Sequence, residues 1–374
     1  MSTIVDGQTG ITFNDSSNQQ TAGYTGFRNR IINGAMVIDQ RNAGASVTPG
    51  SFTYTLDRWG GVQTTASKFS VQQNAASVTP PAGFTNYLGV TSLSAYSVGA
   101  GDTFNIYQSV EGFNCADFAW GTASAQSVTL SFWVRSSLTG TFGGAIKDGS
   151  SSKAYPFTYT ISSASTWEQK SVTIVGPTSG QFSYTSTTNG IGLQLMFGLG
   201  AGATYSGTAG AWNSTNSYTA TGAVSVVGTN GATFYITGVQ LEQGIVATPF
   251  ERRNYGVEFS MCQRYYFQIG GTSSQALPTG QASAATTAYI PIVFPVTMRT
   301  APSGSNFSVS ANSDWYMVNA AVNSALTWTA SSMSTADVQT ALLLITVASG
   351  LVAGNASFAQ AANTSARIKF SAEL

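Results

Sequence analysis

Apolar and polar residues alternate along much of this chain with a period of two. In the segment 127–136 the apolar positions are Val128, Leu130, Phe132 and Val134, and most of the residues between them are polar. Strands with one apolar face pack as antiparallel sheets, face to face. Loops rich in Gly, Ser, Thr and Asn, such as 198–210 and 228–231, separate the predicted strands. The pattern therefore predicts an all-β protein built on an antiparallel β-sandwich of the jelly-roll type.

One segment, 251–266, follows a helical pattern instead. Tyr255, Phe259, Cys262 and Tyr266 are spaced i, i+4, i+7 and i+11, so they share one face of a short helix. A second β-rich region follows the helix. The sequence thus predicts a jelly-roll domain over 25–250, a helical joint over 251–266, and a smaller β-sandwich, the tip domain, over 267–374. Within the tip domain, 342–347 is apolar on both faces, which predicts a central strand or a subunit contact.

Residues 1–24 are polar and glycine-rich, with too few apolar side chains for a domain. We predict that they form an attachment arm that gains order on a partner. The first ten residues combine neither a basic start nor an apolar core, so no secretory signal peptide is expected. No run of apolar residues is long enough to predict membrane insertion.

Composition excludes several chemistries. The 374 residues include no histidine, which rules out histidine-based catalysis and histidine-ligated metals. The only cysteines, Cys115 and Cys262, cannot form a zinc cluster and are expected to be buried free thiols. Fifteen basic and fifteen acidic residues cancel, which argues against nucleic-acid binding because that needs a basic surface.

Catalysis by other groups also finds little support in the sequence. Glycoside hydrolysis needs two carboxylates that face each other across the bond, and the acidic residues of the first domain show no such paired spacing. A serine nucleophile without histidine needs a lysine base. The adjacent pairs Ser67–Lys68 and Ser152–Lys153 would project to opposite faces of a strand. We therefore predict that the chain is not an enzyme.

Several blocks of the sequence resemble segments of bacteriophage tail-fibre and virion appendage proteins, and they occur in the same order. The blocks are GITFNDSSNQQTAG at 10–23, NRIINGAMVIDQRN at 29–42, YTLDRWG at 54–60, GVQLEQGIVATPFERR at 238–253, CQRYY at 262–266, FPVTMRTAP at 294–302 and FSAEL at 370–374. The resemblance covers most of the chain. It implies a homotrimeric receptor-binding appendage on the virion, assembled in the host cytoplasm, with a carbohydrate-binding-like jelly roll.

Two of these blocks contain charged residues with open roles. In YTLDRWG, Asp57 and Arg58 would form an ion pair or hydrogen bonds at the sandwich rim, or else Trp59 would serve as a sugar platform. In VQLEQG, Glu242 would ligate a structural Ca²⁺ together with backbone carbonyls, or would accept hydrogen bonds from a neighbouring loop. No other cofactor is expected.

Glycan recognition relies on aromatic faces and on neutral amides and hydroxyls. The densest such cluster in the tip domain consists of Asn312, Asp314, Trp315, Tyr316 and Trp328. The alternative is that Trp315 and Trp328 are partners in the core across two strands. A second candidate is the glycine-rich loop with Trp212, Asn213 and Tyr218, which would otherwise pack its own aromatic side chains.

Charge in the tip domain is sparse. After the joint, the charged residues are Arg299, Asp314, Asp337, Arg367, Lys369 and Glu373, mostly well spaced along the chain. This spacing predicts a neutral glycan ligand whose binding depends weakly on salt.

Two hypotheses of function follow. The first is a tail fibre or receptor-binding protein that is held to other tail or head proteins by residues 1–24 and binds a host-surface glycan. The second is a structural virion component, such as a head fibre, decoration or collar protein, without a receptor role.

Overall fold

The computed structural model describes residues 27–319 and 324–374, together with the backbone of three short strands nearer the N-terminus. Strands are numbered in chain order. The first three, β1 (Ile4–Asp6), β2 (Gly10–Thr12) and β3 (Asn18–Gln19), pair as an antiparallel sheet. They fall within the predicted attachment arm, whose other residues lie outside the described part of the chain.

Two antiparallel sheets form the first domain. The six-stranded sheet has the order β11 (Ala154–Ile161), β10 (Gly140–Asp148), β13 (Ile191–Ala201), β8 (Thr103–Glu111), β5 (Trp59–Gln63) and β4 (Thr53–Leu56). The five-stranded sheet has the order β12 (Glu168–Ile174), β9 (Val128–Ser136), β16 (Thr233–Gln243), β7 (Leu88–Ser92) and β6 (Phe69–Gln73). This arrangement confirms the predicted antiparallel sandwich.

The alternating pattern explains how the two sheets pack. On β9, the four apolar side chains named above point inward and are almost fully buried. Phe132 meets Phe197 of the facing sheet edge to face, with 5.0 Å between ring centroids. Each such buried side chain contributes about 1.5–3 kcal/mol to the free energy of folding.

A long connection covers part of the outer face of the six-stranded sheet. It carries two short strands that pair in parallel, β14 (Ser206–Gly207) and β15 (Thr219–Ala220). The connection lies close to the sheet because glycines of the sheet face it and leave room for its side chains. A Cβ atom on Gly143 would lie 2.4 Å from Thr219 Oγ1, and one on Gly198 would lie 2.5 Å from it. This outer face is therefore closed by the chain itself.

A helix, α1 (Tyr255–Gln263), forms within the predicted joint. Asn254 caps its N-terminus by accepting a hydrogen bond from Gly256 N at 3.0 Å. Cys262 is buried in a small core with Ile32 and Ile38. Tyr255, by contrast, is 61% exposed, so the predicted apolar face is buried only toward its C-terminal end.

In the tip domain, six strands close into a barrel. Their order is β18 (Gly280–Ala284), β19 (Thr287–Val293), β23 (Thr340–Val347), β22 (Ser324–Ala336), β21 (Trp315–Asn319) and β24 (Ala356–Ala361). A three-stranded sheet beside it has the order β17 (Tyr266–Gly270), β25 (Arg367–Ser371) and β20 (Phe307–Val309). Both share one hydrophobic core.

The all-β class is confirmed, and the tip domain differs from an open sandwich through β18. This short strand pairs with both β19 and β24, which joins the two edges of the sheet and leaves no free edge in the barrel. β23 lies between β19 and β22, in agreement with the central strand predicted over 342–347. Short 3₁₀ turns complete the described structure at Ala75–Ser77, Gly112–Asn114, Ala116–Phe118, Ala203–Tyr205, Gly304–Asn306 and Asn312–Asp314.

Candidate functional site

The YTLDRWG block is a buried structural element. Trp59 has no exposed surface, and its Nε1 donates a hydrogen bond to Asn33 O at 3.1 Å. The Asp57 carboxylate is also buried and accepts hydrogen bonds from Gln40 N at 2.6 Å and Gln40 Nε2 at 2.5 Å. The platform hypothesis for Trp59 was wrong, because a sugar needs an open ring face.

Glu242 accepts three hydrogen bonds from protein donors. It is 1% exposed and accepts from Thr248 N at 2.9 Å, Thr248 Oγ1 at 2.6 Å and Gln240 Nε2 at 2.8 Å. Arg28 Nε lies 3.7 Å from the same carboxylate. Because Thr248 and Gln240 donate to this carboxylate, the geometry favours the alternative in which Glu242 anchors a neighbouring loop. Among the described residues, no group of three or more acidic or sulfur ligands could hold a metal ion.

The glycine-rich loop packs its aromatic side chains against its own domain. Trp212 is half-buried, donates a hydrogen bond to Val175 O at 2.8 Å, and meets Trp120 edge to face at 5.3 Å. The backbone of Asn213 exchanges hydrogen bonds with Ala154. Tyr218 is 7% exposed and covers the Lys147 ammonium, whose nitrogen lies 3.5 Å from the ring centroid. The second candidate site is therefore corrected to a packed loop.

Trp315 and Trp328 also belong to a core. They are 0% and 2% exposed, and their rings stack at a centroid distance of 5.3 Å with 16° between the planes. The adjacent strands β21 and β22 pair so that both indoles point into the barrel. Neither can present a face to a sugar in this structure, so the core alternative is the correct one.

The other members of that cluster separate. Asp314 Oδ1 accepts a hydrogen bond from Asn363 Nδ2 at 2.9 Å. Tyr316 is half-buried on the outer wall of the barrel, opposite in direction to Trp315. Asn312 alone lines a groove.

This groove, here called the hydroxyl groove, has a volume of about 620 Å³. It lies between β20, an edge strand of the three-stranded sheet, and β22 of the barrel. Its lining contains no charged residue and consists of Gly304, Phe307, Ser308, Val309, Ser310, Ala311, Asn312, Ser331, Ser332 and Met333. Four serines and one asparagine in this lining offer neutral hydrogen-bonding groups.

Hydrogen bonds to neighbouring residues fix two polar groups of the groove. Ser310 Oγ accepts from Trp315 Nε1 at 3.2 Å and from Arg367 N at 3.0 Å. Because these two bonds use both of its lone pairs, the Ser310 hydroxyl is left to act as a donor. Asn312 Nδ2 donates to Thr329 O at 3.0 Å, and its Oδ1 accepts from Ser331 Oγ at 3.2 Å. Sequence spacing could not reveal this groove, because its two walls are about twenty residues apart in the chain.

Four of the sequence blocks meet in a polar network between the two domains. The side-chain carboxylate of Glu373 pairs with Arg41, at 2.8 Å, and with Arg58. Arg299 donates to Ala372 O and Glu373 O, each at 2.6 Å. These contacts join the blocks at 29–42, 54–60, 294–302 and 370–374.

A second carboxylate anchors the helix to the first domain. Glu111 accepts from Arg264 Nη2 at 2.5 Å, from Arg264 Nε at 3.0 Å, and from Tyr265 Oη at 2.5 Å. Glu111 is 1% exposed, so this is a buried charge with full hydrogen bonding. The CQRYY block thus connects the helix at the joint to the first domain.

Asp57 makes the stability of the joint depend on pH. Burial raises the pKa of its carboxyl group from 3.8 to about 7, although Arg41 and the Gln40 hydrogen bonds act in the opposite direction. The folded protein therefore holds a proton that the unfolded chain has released, and this contribution to stability is lost as pH rises from about 4 to about 7. We expect the free energy of unfolding to decline across this window more steeply in the wild type than in Asp57→Asn. Urea unfolding at a series of pH values measures this difference, and parallel curves for the two proteins would contradict it.

No protein-family model matches this chain, and no curated protein matches its sequence. Solved structures that are similar in part include the enzymatically active domain of bacteriophage CBA120 tailspike protein 4, at 13% identity and a TM-score of 0.28. That match covers 50% of this chain and only 20% of the tailspike chain.

Carbohydrate-binding modules also occur among the similar structures. A family 11 module of a cellulosomal cellulase of Clostridium thermocellum is 14% identical with a TM-score of 0.27, and the match covers 56% of this chain and 100% of the module. TmCBM61, solved with beta-1,4-galactotriose, is 10% identical with a TM-score of 0.30, covering 58% and 100% of the two chains. Within the described part of this protein, no helix has the length and apolar character needed to cross a membrane.

Proposed function

We propose that this chain is a receptor-binding appendage of a bacteriophage virion, and that its tip domain binds a host-surface glycan in the hydroxyl groove. The proposal joins two independent supports. The sequence blocks resemble those of tail-fibre and appendage proteins, and the groove has the chemistry that a glycan requires. Binding without catalysis is part of the proposal.

The groove carries the proposal. Its wall on the β20 side is the edge of a sheet, so backbone N–H and C=O groups of that strand face it beside the Ser308 and Ser310 side chains. Phe307 and Met333 supply apolar surface for the carbon–hydrogen faces of a sugar ring. Because Ser310 and Asn312 already form hydrogen bonds within the protein, a ligand would not have to order them, which reduces the entropic cost of binding.

The proposed assembly is a homotrimer attached to other virion proteins through residues 1–24. The outer wall of the barrel offers an apolar surface for contact between copies. Tyr289 and Val293 are 36% and 69% exposed on β19, and on β23 Leu344 pairs with Tyr289 while Leu342 pairs with Pro291. Apolar stripes of this kind mark contact surfaces more often than bare solvent faces.

Filling the groove should abolish binding. Ser332→Tyr places a large side chain at an exposed position of the lining, and we expect at least a tenfold loss of glycan binding and of particle adsorption, corresponding to about 1.4 kcal/mol or more. Thr327→Tyr is the matched control, since it is exposed on the same strand but outside the groove. Glycan-array binding and cell adsorption are measured for both variants, after light scattering has tested for three times the 38.9 kDa chain mass.

Each result has a clear meaning. Loss of binding in Ser332→Tyr but not in Thr327→Tyr places the glycan in the groove. Normal adsorption of particles carrying Ser332→Tyr would reject the receptor role of the groove and favour the structural virion component. A monomeric mass would reject the trimer and would leave the proposed glycan site unaffected.

A further inference from the structure

Three cationic side chains meet on one side of the three-stranded sheet, which the sequence spacing does not reveal. Arg367 and Lys369 are two residues apart on β25 and therefore point to the same face. Arg41, from the first domain, lies over the same face, with its guanidinium carbon 3.8 Å from the centre of the Tyr266 ring. In a chain with only 8% charged residues, this is an unusual concentration of positive charge.

Lys369 lies at the centre of a row of hydrogen-bond donors. It pairs with Gln268 of β17 on one side and with Ser308 of β20 on the other, so the three side chains stand next to one another. Gln268 Oε1 accepts a hydrogen bond from Tyr266 Oη at 3.1 Å, which leaves the amide Nε2 as a donor. An amide, an ammonium and a hydroxyl group thus face the same space. The row together with Arg41 and Arg367 is called the cationic face below.

The negative charge near this face lies beside Arg41, which pairs with Glu373 and attracts the carboxyl groups of Asp39 and Asp57. No carboxylate forms an ion pair with Lys369 or Arg367 within the described ranges, and Arg367 Nη1 donates to the backbone oxygens of Thr364 and Ala366, each at 2.8 Å. Glu373 does pair with Arg41, but it also pairs with Arg58. Asp39 lies near Tyr266, where its carboxylate accepts hydrogen bonds from Asn42 N and Gly44 N. Burial lowers the pKa of Lys369, and the neighbouring charges of Arg367 and Arg41 lower it further.

The cationic face is continuous with the hydroxyl groove. Ser308 belongs to both, because it lines the groove and is also the cross-strand neighbour of Lys369. A chain of sugars in the groove would therefore bring an adjoining substituent to the Lys369 ammonium. The opposite wall of the groove contributes Ser331, Ser332 and Met333 and no charge.

We propose that the cationic face binds the acidic group of an anionic glycan, a carboxylate or a phosphate, whose neighbouring sugars occupy the hydroxyl groove. This inference rests on the proposed glycan-binding function and specifies its ligand class. It replaces the neutral ligand that charge spacing along the sequence predicts. The prediction of a neutral ligand considered only spacing along the sequence. In the folded protein the pleat of β25 places Arg367 and Lys369 on one face, and Arg41 of the first domain adds a third positive charge there.

Calorimetry on the full chain can test the proposal with three kinds of probe. Oligogalacturonate carries carboxylates, a poly(glycerol phosphate) oligomer carries phosphates, and a dextran oligosaccharide carries no charge. We expect the wild type to bind at least one acidic probe more tightly than dextran. Its affinity should fall several-fold between about 20 mM and about 200 mM salt, because a solvent-accessible charge interaction is screened.

Lys369→Gln removes the central charge and keeps a polar side chain of similar length. We expect about a tenfold loss of affinity for the acidic probe, a weaker salt dependence, and unchanged binding of dextran. Lys153→Gln is the matched control, because Lys153 lies in the first domain and contacts Ser214 Oγ at 2.7 Å. Equal melting temperatures for the two variants establish that both fold.

The outcomes separate this inference from the proposed function. Tighter binding than dextran by oligogalacturonate alone, or by the phosphate oligomer alone, supports the proposal and identifies the acidic group. Equal binding of acidic and neutral probes, or an unchanged acidic affinity in Lys369→Gln, overturns it while the groove remains a glycan site. Failure of every acidic probe to bind the wild type also overturns it, and the Ser332→Tyr adsorption result then decides the proposed function independently.

Discussion

Glu373→Gln is expected to destabilise the folded protein by about 3–5 kcal/mol, because it leaves a buried arginine without its counter-charge. The Arg58 side chain is 1% exposed, and the Glu373 side chain is 6% exposed. Among the described residues, Arg58 otherwise donates to Ser109 O, at 2.5 Å, and stacks on the Tyr265 ring at 3.6 Å. Neither contact neutralises the charge. Urea unfolding monitored by tryptophan fluorescence measures the loss.

Two further variants make this test specific. Glu168→Gln removes a carboxylate that pairs with Lys170 at 2.5 Å on an edge strand, and such a pair contributes about 1 kcal/mol or less. In the Arg58→Met background, Glu373→Gln should cost far less than in the wild type, because the buried charge is already gone. A cost for Glu373→Gln no larger than for Glu168→Gln would show that the network does not stabilise the joint.

Residues 372–374, called the tail below, extend the network to the first domain and the helix. Leu374 packs against the small core around Cys262, and its backbone oxygen accepts a hydrogen bond from Tyr54 Oη at 2.8 Å. Ala372 N donates to Tyr265 O at 2.7 Å. The tail therefore connects the first domain, the helix and the tip domain at once, and this places the FSAEL and YTLDRWG blocks in contact across more than 300 residues of chain.

Local pattern was sufficient to predict the sheets but not how they close. Alternation on β9 and β13 specifies which side chains enter the sandwich core, since the pleat alone determines direction. The barrel depends on β18, a five-residue strand of small and polar residues with no apolar stripe to predict it. Closure of this kind results from pairing between distant segments, which no local period encodes.

The candidate site shows a similar limit. Sequence analysis selected Asn312 because amides near aromatic residues are a typical glycan-binding composition, and the structure places it in the lining of the hydroxyl groove. Its part in glycan binding stays a prediction. It could not decide whether Trp315 points inward, since an indole on a strand is compatible with either face until its partners are known. Ser308 and Lys369 carry no sequence signal of their own. They become a candidate site only because β20 and β25 pair in register.

Trp315→Ala and Trp328→Ala are each expected to destabilise the tip domain by about 3–5 kcal/mol, because removing a buried indole leaves a cavity. The two rings stack on each other in the barrel core, so each variant also removes a contact from the other. Melting temperature is the measurement, with adsorption scored on the folded fraction. An unchanged melting temperature together with lost adsorption would contradict the core position and would indicate that both tryptophans bind sugar at the surface.

Phenylalanine variants distinguish the two indoles more finely. Trp315 Nε1 donates to Ser310 Oγ, whereas Trp328 Nε1 is buried and has no hydrogen-bond acceptor among the described residues. Trp315→Phe therefore breaks a bond, and Trp328→Phe removes an unsatisfied donor that costs about 1–3 kcal/mol to bury. We expect Trp315→Phe to be the more destabilising of the two by about 1 kcal/mol or more. It should also weaken glycan binding, because Ser310 loses one of the two donors that orient its hydroxyl group toward the hydroxyl groove. Trp328→Phe should leave glycan binding intact, and equal effects of the two variants on both stability and binding would contradict this role for Trp315.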